Sequence, residues 1–177
     1  MDYEFFDSLN SEEAQALLNS FLESQRKALE EMTPVAARDG VVLDYSLSSL
    51  ADALKWMIKL VRVHHAPVPA EEPWWIRQAH PDGLIEFDDN SRTVILRAAY
   101  YLGECFARLP GMRWAIGNPE YLEKNMPIIA GFRHDEELGP LVVIRNVFAR
   151  ILGHGMPVAE IDSTIEVWKG FIPSPLS

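Results

Sequence analysis

The sequence predicts an α+β fold: a mainly helical single domain with a small antiparallel β element near the C-terminus. Four segments carry apolar residues at the spacing of an amphipathic helix. The stretch 163–171 instead alternates apolar and polar residues, as a half-buried strand does. The 177 residues are 48% hydrophobic and 24% charged and show no internal repeat, which favours one globular domain over 1–177.

Residues 1–33 are predicted to form an acidic N-terminal helix. Apolar side chains recur at helical spacing between positions 11 and 32, and Pro34 is expected to end the helix. Residues 1–33 hold eight acidic and two basic side chains. Two interpretations stay open. The acids form a solvated outer face, or they form a docking surface with Glu23, Glu30 and Glu31 as its binding residues.

A second helix is predicted within residues 34–64. Asp44 or Ser46 begins it, because either side-chain oxygen can accept a hydrogen bond from a free amide of the first turn. Apolar residues then follow the helical repeat from Leu47 to Val61, and the helix is expected to end near His64.

Residues 65–91 are predicted to be a long irregular loop, because four prolines prevent a continuous helix there. Long connections in compact domains are often functional. Trp74 and Trp75 lie in its middle and are expected to anchor it by burying aromatic area. The alternative is that both rings form an exposed patch through which the protein dimerises.

The central helix is predicted over 92–109, with Asn90 or Ser91 as its N-cap. Gly103 stands inside it. Because glycine lowers helix stability by about 1 kcal/mol relative to alanine, its presence predicts a close approach of another chain segment.

Two short strands are predicted after the central helix, at Arg113–Ile116 and 127–132, which together form a hairpin. A fourth helix is expected to follow Pro140 and to reach Gly153. The alternating stretch 163–171 is predicted to be a final strand.

No catalytic, metal or cofactor site is predicted. Cys105, the only cysteine, lies on the apolar face of the central helix and is interpreted as a core residue. His64 and His65 are adjacent, so on a helix their side chains point about 100° apart and cannot share an ion. The glycines fit neither the phosphate-loop spacing nor the dinucleotide-binding pattern.

Glu104 is the most unusual charged residue, because it lies on the hydrophobic central helix. It is expected to pair with an arginine one turn away or, by a slightly favoured interpretation, to accept a hydrogen bond from the Trp114 indole. A less favoured alternative is a small hydrolase or transferase in which Glu104 converges with His80 or His134.

Charge excludes some partners and favours others. The formal net charge of −10 argues against nucleic acid and anionic membranes, which bind through lysine and arginine, and favours a basic protein. The first residues show no secretion signal, and no uncharged apolar run approaches the roughly 20 residues of a membrane span. A cytoplasmic location is therefore expected.

Two short patterns carry a resemblance. One is Leu43-Asp44-Tyr45-Ser46 followed by Ser49-Leu50, and the other is Tyr100-Tyr101-Leu102-Gly103-Glu104 followed by Trp114. Over about residues 41–150 the chain resembles small uncharacterised bacterial proteins, some encoded beside polymorphic or type VI secretion toxins and treated as immunity-like. The resemblance implies that the Asp-x-Ser caps a helix, that the Gly-Glu lies mid-helix, and that the Trp begins a hairpin strand. It implies no catalytic residue.

These observations predict a non-enzymatic protein-binding module, an immunity-like protein that neutralises a toxin by direct binding. The anionic surface supports this hypothesis, because acidic inhibitors associate faster with basic targets. A structural protein that forms a homodimer and an enzyme that uses Glu104 remain the alternatives.

Overall fold

The computed structural model describes residues 3–121 and 123–173. Within them, seven α-helices are accompanied by two antiparallel sheets of two strands each. In chain order the elements are α1 Tyr3–Ser8, α2 Ser11–Arg38, α3 Leu47–Met57, a 3-10 turn Ile58–Leu60, β1 Val63–Ala66, α4 Trp74–Ala79, β2 Leu84–Phe87, α5 Asp89–Ala107, β3 Arg113–Ile116, β4 Pro127–Ala130, a 3-10 turn Arg133–Asp135, α6 Pro140–His154 and α7 Glu160–Gly170. The predicted class, a mainly helical α+β domain, is confirmed.

Helix α5 is the centre of the molecule, as predicted. Its residues from Ala98 to Phe106 are buried on nearly every side, with only Glu104 partly exposed. Helices α2, α3 and α6 pack around it, and the β3–β4 hairpin covers its C-terminal half. Its N-cap is Asp88, whose Oδ1 accepts a 2.7 Å hydrogen bond from the Ser91 amide; the prediction of Asn90 or Ser91 is wrong.

The first long helix passes through Pro34 instead of ending there. Pro34 removes one intrahelical hydrogen bond, yet α2 continues to Arg38 because Met32 and Ala36 on either side of it are both buried. Tertiary packing therefore outweighs the local cost of the proline. The start of this helix is capped by Asn10, whose Oδ1 accepts from two amides of the first turn.

The segment predicted as an irregular loop contains two strands and a short helix. β1 and β2 pair antiparallel in the register Val63↔Phe87 to Ala66↔Leu84, so His64 and His65 lie on a strand, not at the end of a helix. Residues 67–83, called the arch below, connect these strands. Gly83, at a φ of 96°, lies against the Ala66 carbonyl, where a Cβ would collide.

The hairpin and the helix after it agree with prediction. β3 and β4 pair from Arg113↔Ala130 to Ile116↔Pro127, and α6 begins at Pro140. The predicted final strand, however, is helix α7. Its buried residues Ile161 and Ile165 stand one turn apart, and Trp168 packs on the Phe132 ring with centroids 5.3 Å apart. This i, i+4, i+7 stripe, and not the alternation, decides the conformation.

Candidate interaction surfaces

The acidic candidates on α2 face solvent. Glu23, Glu30 and Glu31 are exposed, while the opposite side of the helix is buried. Glu31 Oε2 forms an ion pair with Arg97 Nη2 at 3.3 Å. Among the described residues, Glu23 and Glu30 have no side-chain partner, so their carboxylates remain available for contacts outside the molecule.

The tryptophan pair does not anchor the arch, contrary to the prediction. Trp74 and Trp75 form the first turn of α4 and are 65% and 58% exposed. Their rings meet edge to face with centroids 6.0 Å apart, so each ring shields only part of the other. No residue of α4 is buried. The arch thus presents two large aromatic rings to solvent.

Glu104 lies at a polar junction between α2, α5 and β3. Its Oε2 accepts hydrogen bonds from Gln25 Nε2 at 3.0 Å and from Trp114 Nε1 at 3.5 Å, and its Oε1 accepts from Arg108 Nε at 2.8 Å. Gln25 is buried and also donates to the Tyr100 carbonyl. Both predicted roles of Glu104, the arginine pair and the indole acceptor, are present together.

The polar junction gives Glu104 a structural role. Three protein donors occupy three of the roughly four acceptor sites on its two oxygens, so the carboxylate is held mainly by groups of the protein itself. Glu104 lines none of the five main cavities found in the described residues, whereas His80 and His134 each line a cavity elsewhere. None of these five cavities brings Glu104 together with either histidine.

Gly103 lets β3 approach the central helix, as predicted. A Cβ on Gly103 would overlap the six-membered ring of Trp114 and would press on Pro140. The missing side chain therefore brings the Trp114 indole within reach of Glu104.

The predicted cap at the start of α3 is present and is linked to α5. Ser46 is the N-cap, its Oγ accepting from the Ser49 amide at 3.2 Å, while Asp44 Oδ1 accepts from the Ser46 amide at 2.9 Å. Hydrogen bonds from Ser46 and Ser49 lower the pKa of Asp44 to about 2. Ser49 also bonds the Tyr101 hydroxyl at 2.7 Å, and burial raises the pKa of Tyr101 to about 12.

Cys105 is a core residue, as predicted. It is 1% exposed, and burial raises the pKa of its thiol to about 12, so it stays protonated and unreactive near neutral pH. Within the described part of the chain, no three His, Cys, Asp or Glu side chains converge as a metal site requires.

A groove between β2, α5 and α6 is the feature that the sequence did not reveal. It consists of two adjoining cavities of about 560 and 610 Å³ that share Ile85, Glu86 and Arg145. Three arginines line this arginine groove, namely Arg92, Arg145 and Arg150. The sequence signal for this groove is weak: Arg145 and Arg150 lie five positions apart on α6. The opposite wall, β2, lies in the segment predicted to be an irregular loop.

Comparison with known proteins adds no family to this description. No protein-family model, no curated protein and no solved structure matches the chain. Of the helices described, none combines the length and the apolar character that crossing a bilayer requires. The surfaces must therefore be interpreted from their own geometry, and the resemblance to immunity-like proteins stays a prediction.

Proposed function

We propose that this chain is a non-enzymatic binding module that holds a basic protein partner, in the manner of a cytoplasmic immunity protein that neutralises a toxin. The observation that carries the proposal is the exposed pair Trp74 and Trp75 on the arch. The net charge of −10 favours a partner of positive net charge.

Exposed tryptophans favour a binding role on energetic grounds. Tryptophan is enriched among the residues that dominate binding free energy, because burying its large rigid surface costs little conformational entropy. In the described part of the chain, α4 contributes no buried residue to the core, so the fold buries less than half of the surface of Trp74 and Trp75. A partner that covers both rings would remove from water the aromatic surface that folding leaves exposed.

The acidic face of α2 supports a cationic partner. Glu23 and Glu30 carry no intramolecular ion pair in the described residues. Carboxylates of this kind raise the association rate with a basic protein by long-range attraction, which salt then screens. In this proposal the tryptophans provide most of the binding free energy at short range, and the acidic face raises the association rate by attracting a basic partner.

A homodimer is the second candidate function, because the same two exposed rings could pack against a second copy. An enzyme using Glu104 is less supported, because three protein donors already engage that carboxylate.

The test begins with the tagged wild-type protein, used to capture its partner from lysate of the source cells. The partner is then identified, purified and titrated calorimetrically against the wild type and two double variants, Trp74→Ala/Trp75→Ala and Glu23→Lys/Glu30→Lys. Val167→Ala is the matched apolar control and Glu136→Lys the charge control, because both side chains are exposed on other elements.

We expect the tryptophan double variant to weaken binding about thirtyfold or more, the size of a hot-spot loss of about 2 kcal/mol. The glutamate variant should raise the Kd and reduce the salt dependence of the Kd, while both controls bind as the wild type does. Expression of the protein should restore growth to cells that produce the partner. Wild-type affinity in both double variants would refute the proposal. A wild-type dimer that Trp74→Ala/Trp75→Ala dissolves in the ultracentrifuge would favour the second candidate.

A further inference from the structure

We propose that the free edge of β2, together with the arginine groove, receives an extended acidic peptide segment of a protein partner. This site lies apart from the acidic face of α2 and selects the opposite charge. It therefore goes beyond the binding function proposed above.

The position of the groove follows from which residues line it. Ile85, Glu86 and Phe87 all line the first cavity, and Leu84, Ile85 and Glu86 all line the second. Successive residues of a strand point to opposite faces, so a cavity touched by three in a row lies at the strand's edge. No β1 residue lines either cavity, so this is the edge of β2 that faces away from β1.

That edge has no strand partner among the described residues. The sheet contains β1 and β2 only, and the backbone of Leu84–Phe87 makes no hydrogen bond to other described parts of the chain outside this pairing. In an antiparallel pair, alternate residues direct their N–H and C=O groups away from the partner strand. These groups of β2 form a template on which an extended peptide can add as a third strand.

The charges around this edge select a carboxylate-bearing peptide. Arg145 is partly buried at the junction of the two cavities, and no described side chain or carbonyl pairs with it. Arg92 reaches only the fully exposed Asp89, at 3.5 Å, whereas Arg150 is already paired with Glu160. The single acidic residue lining the cavities, Glu86, lies 3.3 Å from His64. A partly desolvated guanidinium without a partner is a strong donor to a carboxylate.

The shape of the groove favours a peptide over a small anion. Its floor is apolar, formed by Phe87, Ile95, Leu96 and Leu141, and so accommodates aliphatic side chains beside the charged ones. It follows the four residues of β2, about 13 Å at the usual rise per strand residue. At its far end lies His80, the residue directly after α4. A free anion would use only the arginines and leave the edge and the floor unoccupied.

The test uses the full-length protein and a fluorescein-labelled peptide in which Glu and Val alternate, followed by anisotropy. Three ligand controls isolate each part of the proposal: the same peptide with Lys in place of Glu, a peptide with alternate backbone amides methylated, and free glutarate as competitor. The protein variants are Arg145→Gln and, as a matched loss of one exposed arginine on another element, Arg113→Gln.

We expect saturable binding of the Glu–Val peptide, weakened about tenfold by Arg145→Gln, the size of one lost charge-assisted hydrogen bond. Arg113→Gln should change the Kd less than twofold, and the Lys peptide and the methylated peptide should not bind. Three outcomes would overturn the proposal: equal weakening by both arginine variants, undiminished binding of the methylated peptide, or glutarate competing as effectively as the unlabelled peptide. A wild-type dimer that forms through β2 would also overturn it, because a second copy would then fill the edge. None of these four outcomes depends on the tryptophan pair.

Discussion

Glu104 on α5 and Arg145 on α6 are both partly buried and charged, but only the side chain of Glu104 has hydrogen-bond partners among the described residues. The Glu104 carboxylate accepts from Gln25, Arg108 and Trp114 and so connects three elements. The Arg145 guanidinium has no described partner and stands at the centre of the arginine groove.

This contrast separates structure from recognition. A partly buried charge that is fully paired stabilises the fold, and removing it leaves its partners unsatisfied. A charge that is partly desolvated and unpaired makes no stabilising contact within the fold, incurs a desolvation cost, and retains its hydrogen-bonding capacity for a ligand. Variants of the two regions should therefore separate into those that lower the free energy of unfolding and those that leave it nearly unchanged.

The largest effect is expected at the polar junction, from Gly103→Val. The new side chain would overlap the Trp114 ring, and we expect the free energy of unfolding to fall by about 3 kcal/mol or more. Gly170→Val is the control, since a Cβ there has open space around it. Urea denaturation of both variants measures the difference. Because valine has a higher helix propensity than glycine, propensity alone predicts no loss in either variant, and an equal loss in both would show that the close approach at Gly103 is not responsible.

Glu104→Ala should lower the free energy of unfolding by about 2 kcal/mol, because buried Gln25 loses its carboxylate acceptor. Glu31→Ala removes an exposed ion pair with Arg97 and should cost less than about 0.5 kcal/mol. Chemical denaturation compares the two. Similar losses would mean that the polar junction is no stronger than a surface pair.

Asp44 lies between these extremes, as an exposed carboxylate with serine donors. Its pKa in the folded protein is about 2, below the ordinary value of 3.8, so its contribution to stability is present above pH 3.8 and lost as the pH falls towards 2. The stability difference between wild type and Asp44→Asn, measured in urea from pH 6 to pH 2, should therefore shrink on acidification. A difference independent of pH would contradict this assignment.

The smallest effect is expected from Arg145→Gln. Because no described group pairs with this guanidinium, the free energy of unfolding should change by less than about 0.5 kcal/mol. A thermal or urea melt measures it beside Glu104→Ala. A loss as large as that of Glu104→Ala would remove the contrast between the two regions.

Sequence reasoning succeeded where one signal was strong and local. The apolar stripe of α5, the Pro at the start of α6 and the Asp44–Ser46 cap were each legible from a few neighbouring residues. Gly103 was informative for a different reason. A glycine that costs helix stability implies a tertiary gain, and the Trp114 ring supplies it.

Sequence reasoning failed where distant contacts outweighed local preference. Pro34 ends a helix in isolation, but buried Met32 and Ala36 keep α2 continuous. The alternation in 163–171 also contains the helical stripe of Ile165 and Trp168, and packing against Phe132 selects the helix. The prolines of the arch predicted a loop, and strands β1 and β2 were missed because a four-residue strand is too short to show a clear alternation of apolar and polar residues.

The sequence by itself determined the fold class, the central helix, the acidic character and the close approach at Gly103, because each depends on composition or on neighbours within a turn. Only the tertiary structure decided that the tryptophans are exposed, that Glu104 has three protein donors and that Arg145 is unpaired beside a free strand edge. The physical reason is that burial and hydrogen-bond pairing are made by residues far apart in the chain. Arg145 and β2 line the same cavity although they lie about 60 positions apart in the sequence, and no local sequence pattern indicates that they are neighbours.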